Sequence, residues 1–199
     1  MGNSHLPKQF LMLGNKPIIV HTIEQFLICE KVDKIVIAVL KNWMQYTQEL
    51  IEKYCKDDRI FLIEGGNNRN ETILKICEYI KQHFQLEKKD ILLTHDAVRP
   101  FITQRIIYEN IEEAQKYDAV DTVIPATDTI VESKDQTWIS KIPLRDQLYQ
   151  GQTPQTFKIE EFLKLYASIP EEQKNQLTDA AKVYVLNHKK VKLVEGERF

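Results

Sequence analysis

The amino-acid sequence predicts an α/β protein, with a Rossmann-like and mostly parallel sheet flanked by helices. Two observations predict this class. Segments with a helical spacing of apolar residues alternate with short buried runs, of which Lys34-Ile35-Val36-Ile37-Ala38-Val39 and Asp90-Ile91-Leu92-Leu93-Thr94 are the clearest. These runs are apolar nearly throughout, which is typical of strands in a parallel sheet that helices cover on both faces.

The alternation continues along the chain. Ile19, Ile23 and Phe26 recur at helical spacing and predict a first helix over residues 16–29, which leads into the strand at 34–39. The same pattern predicts helices over residues 43–54, 70–84 and 103–117, and strands over 60–63, 90–94 and 119–124. Towards the carboxyl terminus we predict helices at 158–167 and 179–187 and a last strand at 190–194.

The pattern changes between residues 127 and 153. Two short extended pieces, at 129–132 and 137–140, flank the polar turn Ser133-Lys134-Asp135-Gln136, which predicts a hairpin. We interpret this segment as a β-arm that projects from the sheet. No repeat, low-complexity tract or linker divides the sequence, so we predict one domain over residues 1–199 with the arm (127–153) as an insertion.

Composition and charge limit the classes of partner that we expect for the chain. It has 199 residues, 43% of them hydrophobic, and a formal net charge of −2. The basic residues are scattered rather than clustered, so we expect no nucleic-acid partner and a local site for any anionic ligand. The sequence contains no run of about 18 apolar residues, so we predict no membrane span. The three cysteines lack the C-x-x-C spacing of zinc and redox sites, and we expect reduced thiols in a cytoplasmic protein.

The most informative motif, His95-Asp96-Ala97-Val98-Arg99-Pro100, directly follows the predicted strand at 90–94. Ligands of open α/β sheets bind beyond the carboxyl ends of the strands. At such a place Asp96 can hold a metal ion or ribose hydroxyls, and Arg99 can anchor the loop or meet a phosphate. The alternative is a structural turn in which Asp96 and Arg99 bond each other.

A second polar segment, Gly65-Gly66-Asn67-Asn68-Arg69-Asn70-Glu71-Thr72, lies between a predicted strand and a predicted helix. Glycines let a ligand approach the backbone, and the amino end of a helix favours anionic groups. Alternatively, Asn68 or Asn70 simply caps the helix. Lys8 precedes the first predicted helix, where a lysine is ordinarily solvated. The five histidines have no metal-ligand spacing, and neither a G-x-S-x-G nor a Walker-type motif occurs.

Five motifs occur in the order of one protein family. They are Pro7-Lys8-Gln9-Phe10-Leu11, Asn15-Lys16-Pro17-Ile18, segment 65–72, segment 95–100 and Gly151-Gln152-Thr153-Pro154-Gln155. Through these motifs, over essentially its whole length, the chain resembles the sugar-alcohol phosphate cytidylyltransferases of the methylerythritol-phosphate cytidylyltransferase type. Within that family it is more similar to the ribitol-5-phosphate branch, in residues 120–131 and 149–155.

The resemblance implies transfer of a cytidylyl group from CTP to a polyol phosphate, with release of pyrophosphate and a requirement for Mg²⁺. In the ribitol branch the product is CDP-ribitol, a precursor of wall teichoic acid or capsule polysaccharide. One alternative acceptor is 2-C-methyl-D-erythritol 4-phosphate, used in isoprenoid synthesis. Another alternative is a catalytically degenerate dimeric module of the same fold. In this family the arm packs on a second subunit, which implies a homodimer.

The resemblance also implies roles for individual residues. Lys8 matches a lysine that stabilises charge on the nucleotide phosphates, and we expect it to be catalytic together with Arg145. The expected nucleotide-binding residues are Gly65, Gly66, Asn67, Thr72, Asp96 and Ala97, with Asp96 also a metal ligand. The expected acceptor-binding residues are Arg99, Thr129, Arg145, Thr153 and Thr178.

The sequence departs from the family pattern at both ends. The family begins with a strand and a loop of the type A-G-G-x-G-x-R-M, which cradles the triphosphate. It also continues beyond the segment that resembles Gly196-Glu197-Arg198-Phe199 into a strand with a second phosphate-binding lysine. Neither stretch occurs in these 199 residues. We therefore expect a fragment of a larger enzyme or a degenerate paralogue, with slower turnover of CTP than an extended form.

Overall fold

The computed structural model describes residues 6–174, 177 and 179–198. In chain order its elements are strands β1 (Met12–Leu13) and β2 (Lys16–Pro17), helix α1 (Ile18–Ile28), strand β3 (Ile35–Val39), helix α2 (Met44–Tyr54), strand β4 (Ile60–Glu64), helix α3 (Arg69–His83), strand β5 (Ile91–Thr94), helix α4 (Gln104–Lys116), strands β6 (Ala119–Pro125) and β7 (Tyr149–Lys158), helices α5 (Ile159–Ser168), α6 (Glu171–Lys174) and α7 (Ala180–Leu186), and strand β8 (Lys192–Glu195). Short 3₁₀ helices occur at Lys8–Phe10, Lys41–Trp43 and Arg145–Gln147.

The longer strands of the described residues form two sheets. Strands β3 and β4 pair in parallel, from Ile35 opposite Ile60 to Val39 opposite Glu64. A second sheet has the strand order β5-β7-β6-β8, in which β8 runs parallel to β6. Strand β7 runs antiparallel to both β5 and β6, so β5, β6 and β8 share one direction. Sheets flanked by helices confirm the α/β class.

Strand β7 is the main element that the sequence did not predict. Its buried residues, 153–157, are three polar residues, Pro154 and a single large apolar residue, Phe157, so no apolar run marks the strand. These polar groups have partners: Thr156 Oγ1 donates to Asn110 Oδ1 at 3.2 Å, and Thr122 Oγ1 donates to the Pro154 carbonyl at 2.7 Å. Hydrogen-bonded polar groups are buried at much lower cost than unpaired ones. Residues 149–153 of the predicted arm therefore belong to the sheet.

Separate apolar cores hold the helices against the two sheets. Phe10 and Ile19 are buried beside β3 and helices α1 and α2. The core of the second sheet lies between β7, α5 and α7, where the rings of Phe157 and Phe162 stack with centroids 4.5 Å apart and Tyr184 is fully buried. The cores fix the strand ends and the amino end of α3, from which the candidate site is built.

The predicted arm does not contain the hairpin ladder that the sequence indicated. Between β6 and β7 one isolated antiparallel bridge joins Glu132 to Lys141. Asp135 Oδ1 closes the turn by accepting the N–H of Thr137 at 3.0 Å and that of Trp138 at 2.9 Å. Two short strands alone are only marginally stable in water, which accounts for the single bridge. Trp138 is 75% exposed, and the role of this segment in dimerisation stays a prediction.

The described helices are all too short or too polar to span a membrane. Cys29, Cys55 and Cys77 are buried and form no disulfide. Burial raises the pKa of Cys55 to about 11 and that of Cys77 to about 12. These two thiols are therefore protonated at neutral pH and act as small apolar core groups rather than as nucleophiles.

Candidate functional site

A cavity of about 1080 Å³ extends to the carboxyl ends of β3, β4 and β5. At this end, which we call the mouth, its lining includes five of the residues expected to bind nucleotide: Gly65, Gly66, Thr72, Asp96 and Ala97. Gly65 and Gly66 directly follow β4, whereas Asp96 and Ala97 come shortly after the end of β5. Carboxyl ends of strands are where open α/β sheets bind ligands. The structure thus brings together most of the residues that the sequence singled out.

Gly65 and Gly66 form a tight turn that leads into α3. The Gly65 N–H donates to the Val39 carbonyl at 2.8 Å, which ties the turn to β3. The Gly66 N–H donates to Thr72 Oγ1 at 2.9 Å. A Cβ atom on Gly66 would overlap the Glu71 side chain and would lie 2.8 Å from the Glu71 carbonyl carbon. Only glycine therefore allows the backbone to pass this close to α3.

The amino end of α3 is capped by neighbouring side chains. Asn68 Oδ1 accepts the Glu71 N–H at 2.9 Å, while the Glu71 carboxylate accepts the Asn67 N–H at 2.8 Å. The capping interpretation is therefore correct, with Asn68 rather than Asn70 as the cap. The Gly66 and Asn67 backbone N–H groups thus already have partners. Asn67 is exposed and does not line the cavity, so its expected contact with the nucleotide stays a prediction.

Asp96 lies between two guanidinium groups, and we call Arg69, Asp96 and Arg99 the Asp96 cluster. Arg69 Nη1 is 2.6 Å from Asp96 Oδ1, and Arg99 Nε is 3.1 Å from Asp96 Oδ2. Burial by itself raises the pKa of Asp96, but the hydrogen bonds and charges of Arg69 and then Arg99 outweigh it and hold the pKa below its usual value. The carboxylate is ionised at neutral pH, and the half-buried cluster retains a net positive charge that favours phosphate.

The loop that carries Asp96 is anchored on both sides. Thr22 Oγ1 donates to the Ala97 carbonyl at 2.9 Å, and His95 Nε2 lies 3.0 Å from the Arg99 carbonyl. Burial lowers the pKa of His95 to about 4, against smaller opposing effects of Arg99 and Asp96. The imidazole is therefore neutral at pH 7 and holds the loop as a hydrogen-bond donor, with no charge of its own.

Two of the expected acceptor-binding residues lie beside the Asp96 cluster. Arg99 and Thr153 line a second cavity of about 240 Å³. Thr153 is 9% exposed, and its hydroxyl accepts the Asp96 N–H at 3.4 Å. The second cavity, which contains these two expected acceptor-binding residues, therefore lies next to the mouth, and the bond between Asp96 and Thr153 joins the two.

Four expected site residues are placed differently. Lys8 is exposed on the 3₁₀ helix Lys8–Phe10, one residue before Gln9, which lines the main cavity. Thr129 and Arg145 are exposed on the arm, where Arg145 Nη1 donates to the Thr127 carbonyl at 3.1 Å. Among the described residues, no hydrogen bond or ion pair links these three to Asp96. Thr178 lies outside the described residues, and all four roles stay predictions.

The sequence analysis did not predict the ion pair between Arg69 and Asp96. It also did not predict a hydrogen-bonded pair of partly buried polar side chains, Asp121 and Gln155. Gln155 Nε2 donates to Asp121 Oδ1 at 3.0 Å, and Gln155 Oε1 accepts the Ala180 N–H at 3.2 Å. Burial raises the pKa of Asp121 to about 6; Asp179 adds to the rise, while the Gln155 hydrogen bond and Arg69 oppose it. The signal that could have found this group is a carboxylate inside the mostly apolar strand predicted at 119–124.

A divalent metal ion fits the mouth through Asp96. The described residues hold no group of three or more His, Cys, Asp or Glu side chains suited to a metal. Mg²⁺ does not need such a group, because it is commonly held by one or two carboxylates together with water and substrate phosphates. Each carboxylate oxygen of Asp96 keeps a lone pair beyond its bond to arginine, so the ionised side chain matches that mode.

Comparisons with known proteins identify the family of the chain and its fold. The model of the family described as "IspD: 2-C-methyl-D-erythritol 4-phosphate cytidylyltransferase" matches residues 1–199. A solved 4-diphosphocytidyl-2C-methyl-D-erythritol synthase from Anaerococcus prevotii DSM 20548 is 26% identical with a TM-score of 0.79, over 94% of this chain and 79% of that chain.

A more distant structure shows the same fold. The 2-C-methyl-D-erythritol 4-phosphate cytidylyltransferase of Francisella tularensis has a TM-score of 0.78 at 23% identity, and the match covers 98% of this chain and 86% of that chain.

Proposed function

Because the chain belongs to the 2-C-methyl-D-erythritol 4-phosphate cytidylyltransferase (IspD) family, and is thus a cytidylyltransferase, we propose that it transfers the cytidylyl group of CTP to 2-C-methyl-D-erythritol 4-phosphate. The observation that carries the proposal is the convergence of three features at one mouth. These are the Gly65-Gly66 turn, the amino end of α3 and the Asp96 cluster. Together they offer positive charge and close backbone approach to a nucleoside triphosphate.

The reaction is an in-line displacement at phosphorus. An oxygen of the acceptor phosphate bonds to the α-phosphorus of CTP, the bond from that phosphorus to the bridging oxygen breaks, and pyrophosphate leaves on the opposite side. A phosphate monoester is largely ionised near neutral pH, so no strong general base is required. The protein therefore accelerates the reaction by holding two polyanions in line and neutralising their charge.

The Asp96 cluster supports the nucleotide side of this reaction. Arg69 reaches from the first turn of α3 to orient Asp96, and its guanidinium adds positive charge at the mouth. We assign Asp96 to the metal and Arg99 and Thr153 to the acceptor side, because these last two line the adjoining cavity. Mg²⁺, when bound, neutralises charge on the phosphates.

The exposed residues of the expected site act from the edges of the mouth in this proposal. Lys8 is next to the cavity-lining Gln9, from where a flexible ammonium can reach nucleotide phosphates. Thr129 and Arg145 lie on the arm. We assign them to the acceptor phosphate in the site of a second subunit, since the arm is exposed and carries apolar side chains that suit an interface.

D-ribitol 5-phosphate is the second candidate acceptor. It is supported by the similarity of residues 120–131 and 149–155 to the ribitol-5-phosphate branch. These two segments pair as β6 and β7, next to the cavity that contains Thr153. A choice between a branched four-carbon and a linear five-carbon polyol depends on a few contacts, so measured rates must decide.

The test offers both acceptors to the purified chain with CTP and Mg²⁺ and measures pyrophosphate and the cytidylylated product. We expect kcat/KM for 2-C-methyl-D-erythritol 4-phosphate to exceed that for D-ribitol 5-phosphate by at least about tenfold, or 1.4 kcal/mol of transition-state binding. The reverse ratio would transfer the assignment to ribitol phosphate. Saturable binding of CTP without product from either acceptor would identify a degenerate module. ATP in place of CTP is the control for the donor.

A further inference from the structure

A polar layer crosses the second sheet where its apolar core ends. Ala119 and Phe157, which are opposite each other on β6 and β7, belong to that core together with residues of α7. Two residues further along β6, Asp121 is opposite Gln155, and Thr94 of β5 is opposite Gln155 on its other side. Side chains of a strand alternate between the two faces, so Asp121 and Gln155 share the face on which α7 packs.

Gln155 links Asp121 to the start of α7. The residue is 4% exposed. Its Nε2 donates to Asp121 Oδ1 at 3.0 Å, and its Oε1 accepts the Ala180 N–H at 3.2 Å. An ionised carboxylate only accepts hydrogen bonds, so it fixes the amide with Nε2 towards β6 and Oε1 towards α7. Asp121 thus determines the orientation of the amide that holds Ala180.

A second hydrogen bond holds the chain just before α7. Asn70 Nδ2, in the first turn of α3, donates to the Leu177 carbonyl at 2.8 Å, and both groups are buried. The bonds at Leu177 and Ala180 lie on either side of Thr178, an expected acceptor-binding residue that is outside the described part of the chain. The approach to α7 is therefore tied to α3 at one point and to β7 at another.

The pair formed by Asp121 and Gln155 adjoins the candidate site on two sides. Gln155 follows Thr153 by two residues on β7, and Thr153 lines the second cavity. Arg69, which is 2.6 Å from Asp96, also acts on Asp121, because its charge lowers the pKa of that carboxyl. The start of α7, the expected acceptor side and the Asp96 cluster therefore meet around this pair.

The Asp121 carboxylate destabilises the native state when it is ionised. Burial raises its pKa to about 6, and the charge of Asp179, which caps α7, adds to the rise, whereas the Gln155 hydrogen bond and the charge of Arg69 oppose it. On β8 the residue opposite Asp121 is the uncharged Leu193. Ionisation above pH 6 therefore lowers the free energy of unfolding. A group that is costly to the fold is expected where function requires it.

We propose that Asp121 and Gln155 are positioning residues for the acceptor: the carboxylate orients the Gln155 amide, which holds the start of α7 beside Thr153 and the Asp96 cluster. The proposal rests on the proposed cytidylyl transfer and applies to either polyol phosphate. The pair acts through the groups it holds and not on the reacting phosphorus. Loss of the pair should therefore raise the KM of the acceptor and change kcat and the KM of CTP much less.

Three variants of the full chain test the proposal, with transfer kinetics and thermal unfolding measured above and below pH 6. Gln155→Met removes both hydrogen bonds and keeps the length of the side chain. Asp121→Asn replaces the carboxylate by an amide, which presents either a donor or an acceptor to Gln155. Thr156→Val is the matched control, because Thr156 is the next residue on β7 and is buried, but bonds to Asn110 of α4 on the opposite face.

We expect Gln155→Met to raise the acceptor KM at least about tenfold, with kcat and the KM of CTP within about threefold of the parent. Above pH 6, Asp121→Asn should raise the acceptor KM at least about threefold although its thermal midpoint exceeds that of the parent. The ratio of these two KM values should fall towards one below pH 6, where the protonated Asp121 carboxyl also donates. Thr156→Val should lower the thermal midpoint and leave the acceptor KM unchanged.

Two results would overturn this inference alone. One is an acceptor KM in Gln155→Met equal to that in Thr156→Val. The other is an acceptor KM in Asp121→Asn equal to that of the parent above pH 6, and this comparison decides by itself if Gln155→Met does not fold. Transfer to neither acceptor by the parent chain would instead overturn the proposed function and this inference together.

Discussion

Replacing Arg69 by glutamine tests the Asp96 cluster most specifically among single substitutions. The change removes the guanidinium that lies 2.6 Å from Asp96 Oδ1 and leaves a polar side chain at the start of α3. Asp96 keeps its second partner, Arg99, at 3.1 Å. The loop that carries Asp96 also keeps its bonds to Thr22 and His95. We therefore expect a folded protein with a weakened phosphate site.

The structure sets the size of both effects. A hydrogen bond between charged groups contributes about 1.5–3 kcal/mol when buried and less when exposed. The side chains of Arg69 and Asp96 are 35% and 29% exposed. We expect the free energy of unfolding to fall by about 1 kcal/mol, which lowers the thermal midpoint by about 2–4 °C in a chain of this size. Loss of one cation at the mouth should weaken CTP binding at least about tenfold, or 1.4 kcal/mol.

Isothermal titration of CTP with Mg²⁺, combined with thermal unfolding, measures the two effects separately. Arg105→Gln is the matched control, because Arg105 also binds carboxylates, those of Glu109 at 2.9 Å and Glu197 at 3.0 Å, but does not line the cavity. We expect a similar loss of stability there and unchanged affinity for CTP. If the two variants bound CTP equally well, the assignment of the Asp96 cluster to the nucleotide would be refuted.

Three further predictions follow from individual contacts. Gly66→Ala should lower the free energy of unfolding by about 1–3 kcal/mol, because the new methyl group overlaps Glu71, whereas Gly151→Ala meets no atom within 4 Å and should change it little in denaturant titrations. The folded pKa of Asp121, about 6, exceeds the value of about 4 for an unfolded aspartate, so the native state loses stability as the pH rises from 4 to 6. Asp121→Asn should therefore raise the thermal midpoint above pH 6 and leave it unchanged near pH 4; a gain at both pH values would contradict this. The chain should sediment as a dimer at micromolar concentration, and Ile139→Asp, on an arm side chain that is 61% exposed, should shift it to a monomer; an unchanged distribution would exclude the arm from the interface.

Local patterns were sufficient to predict elements in which apolar residues recur at helical spacing or dominate a short run. The helix predicted over residues 43–54 is observed as Met44–Tyr54, and the strand predicted over 119–124 as Ala119–Pro125. Strand β7 could not be predicted in this way. Its buried half is mostly polar, and its buried groups form hydrogen bonds with Asn110 and Thr122, which lie far away in the sequence.

The candidate site likewise contains residues that a local pattern predicts and contacts that no local pattern predicts. Gly65, Gly66 and Asp96 could be predicted because each lies within two residues of a strand end, and strand ends converge in this class of fold. Ala97 was expected from the family resemblance. The bond from Arg69 to Asp96 could not, because 27 positions separate the two residues and no local pattern encodes the contact. The positions of Thr129 and Arg145 relative to the mouth depend on the predicted second subunit, which one chain does not contain.

The central claim is that the mouth formed by the ends of β4 and β5 is the CTP site. Amide chemical shifts of the ¹⁵N-labelled chain, recorded during a titration with CTP and Mg²⁺, test it most directly. We predict saturable shifts at Gly65, Gly66 and Ala97 in the parent chain and their loss in Asp96→Asn. Saturable shifts confined to other surfaces, or the same shifts at equal affinity in Asp96→Asn, would contradict the account.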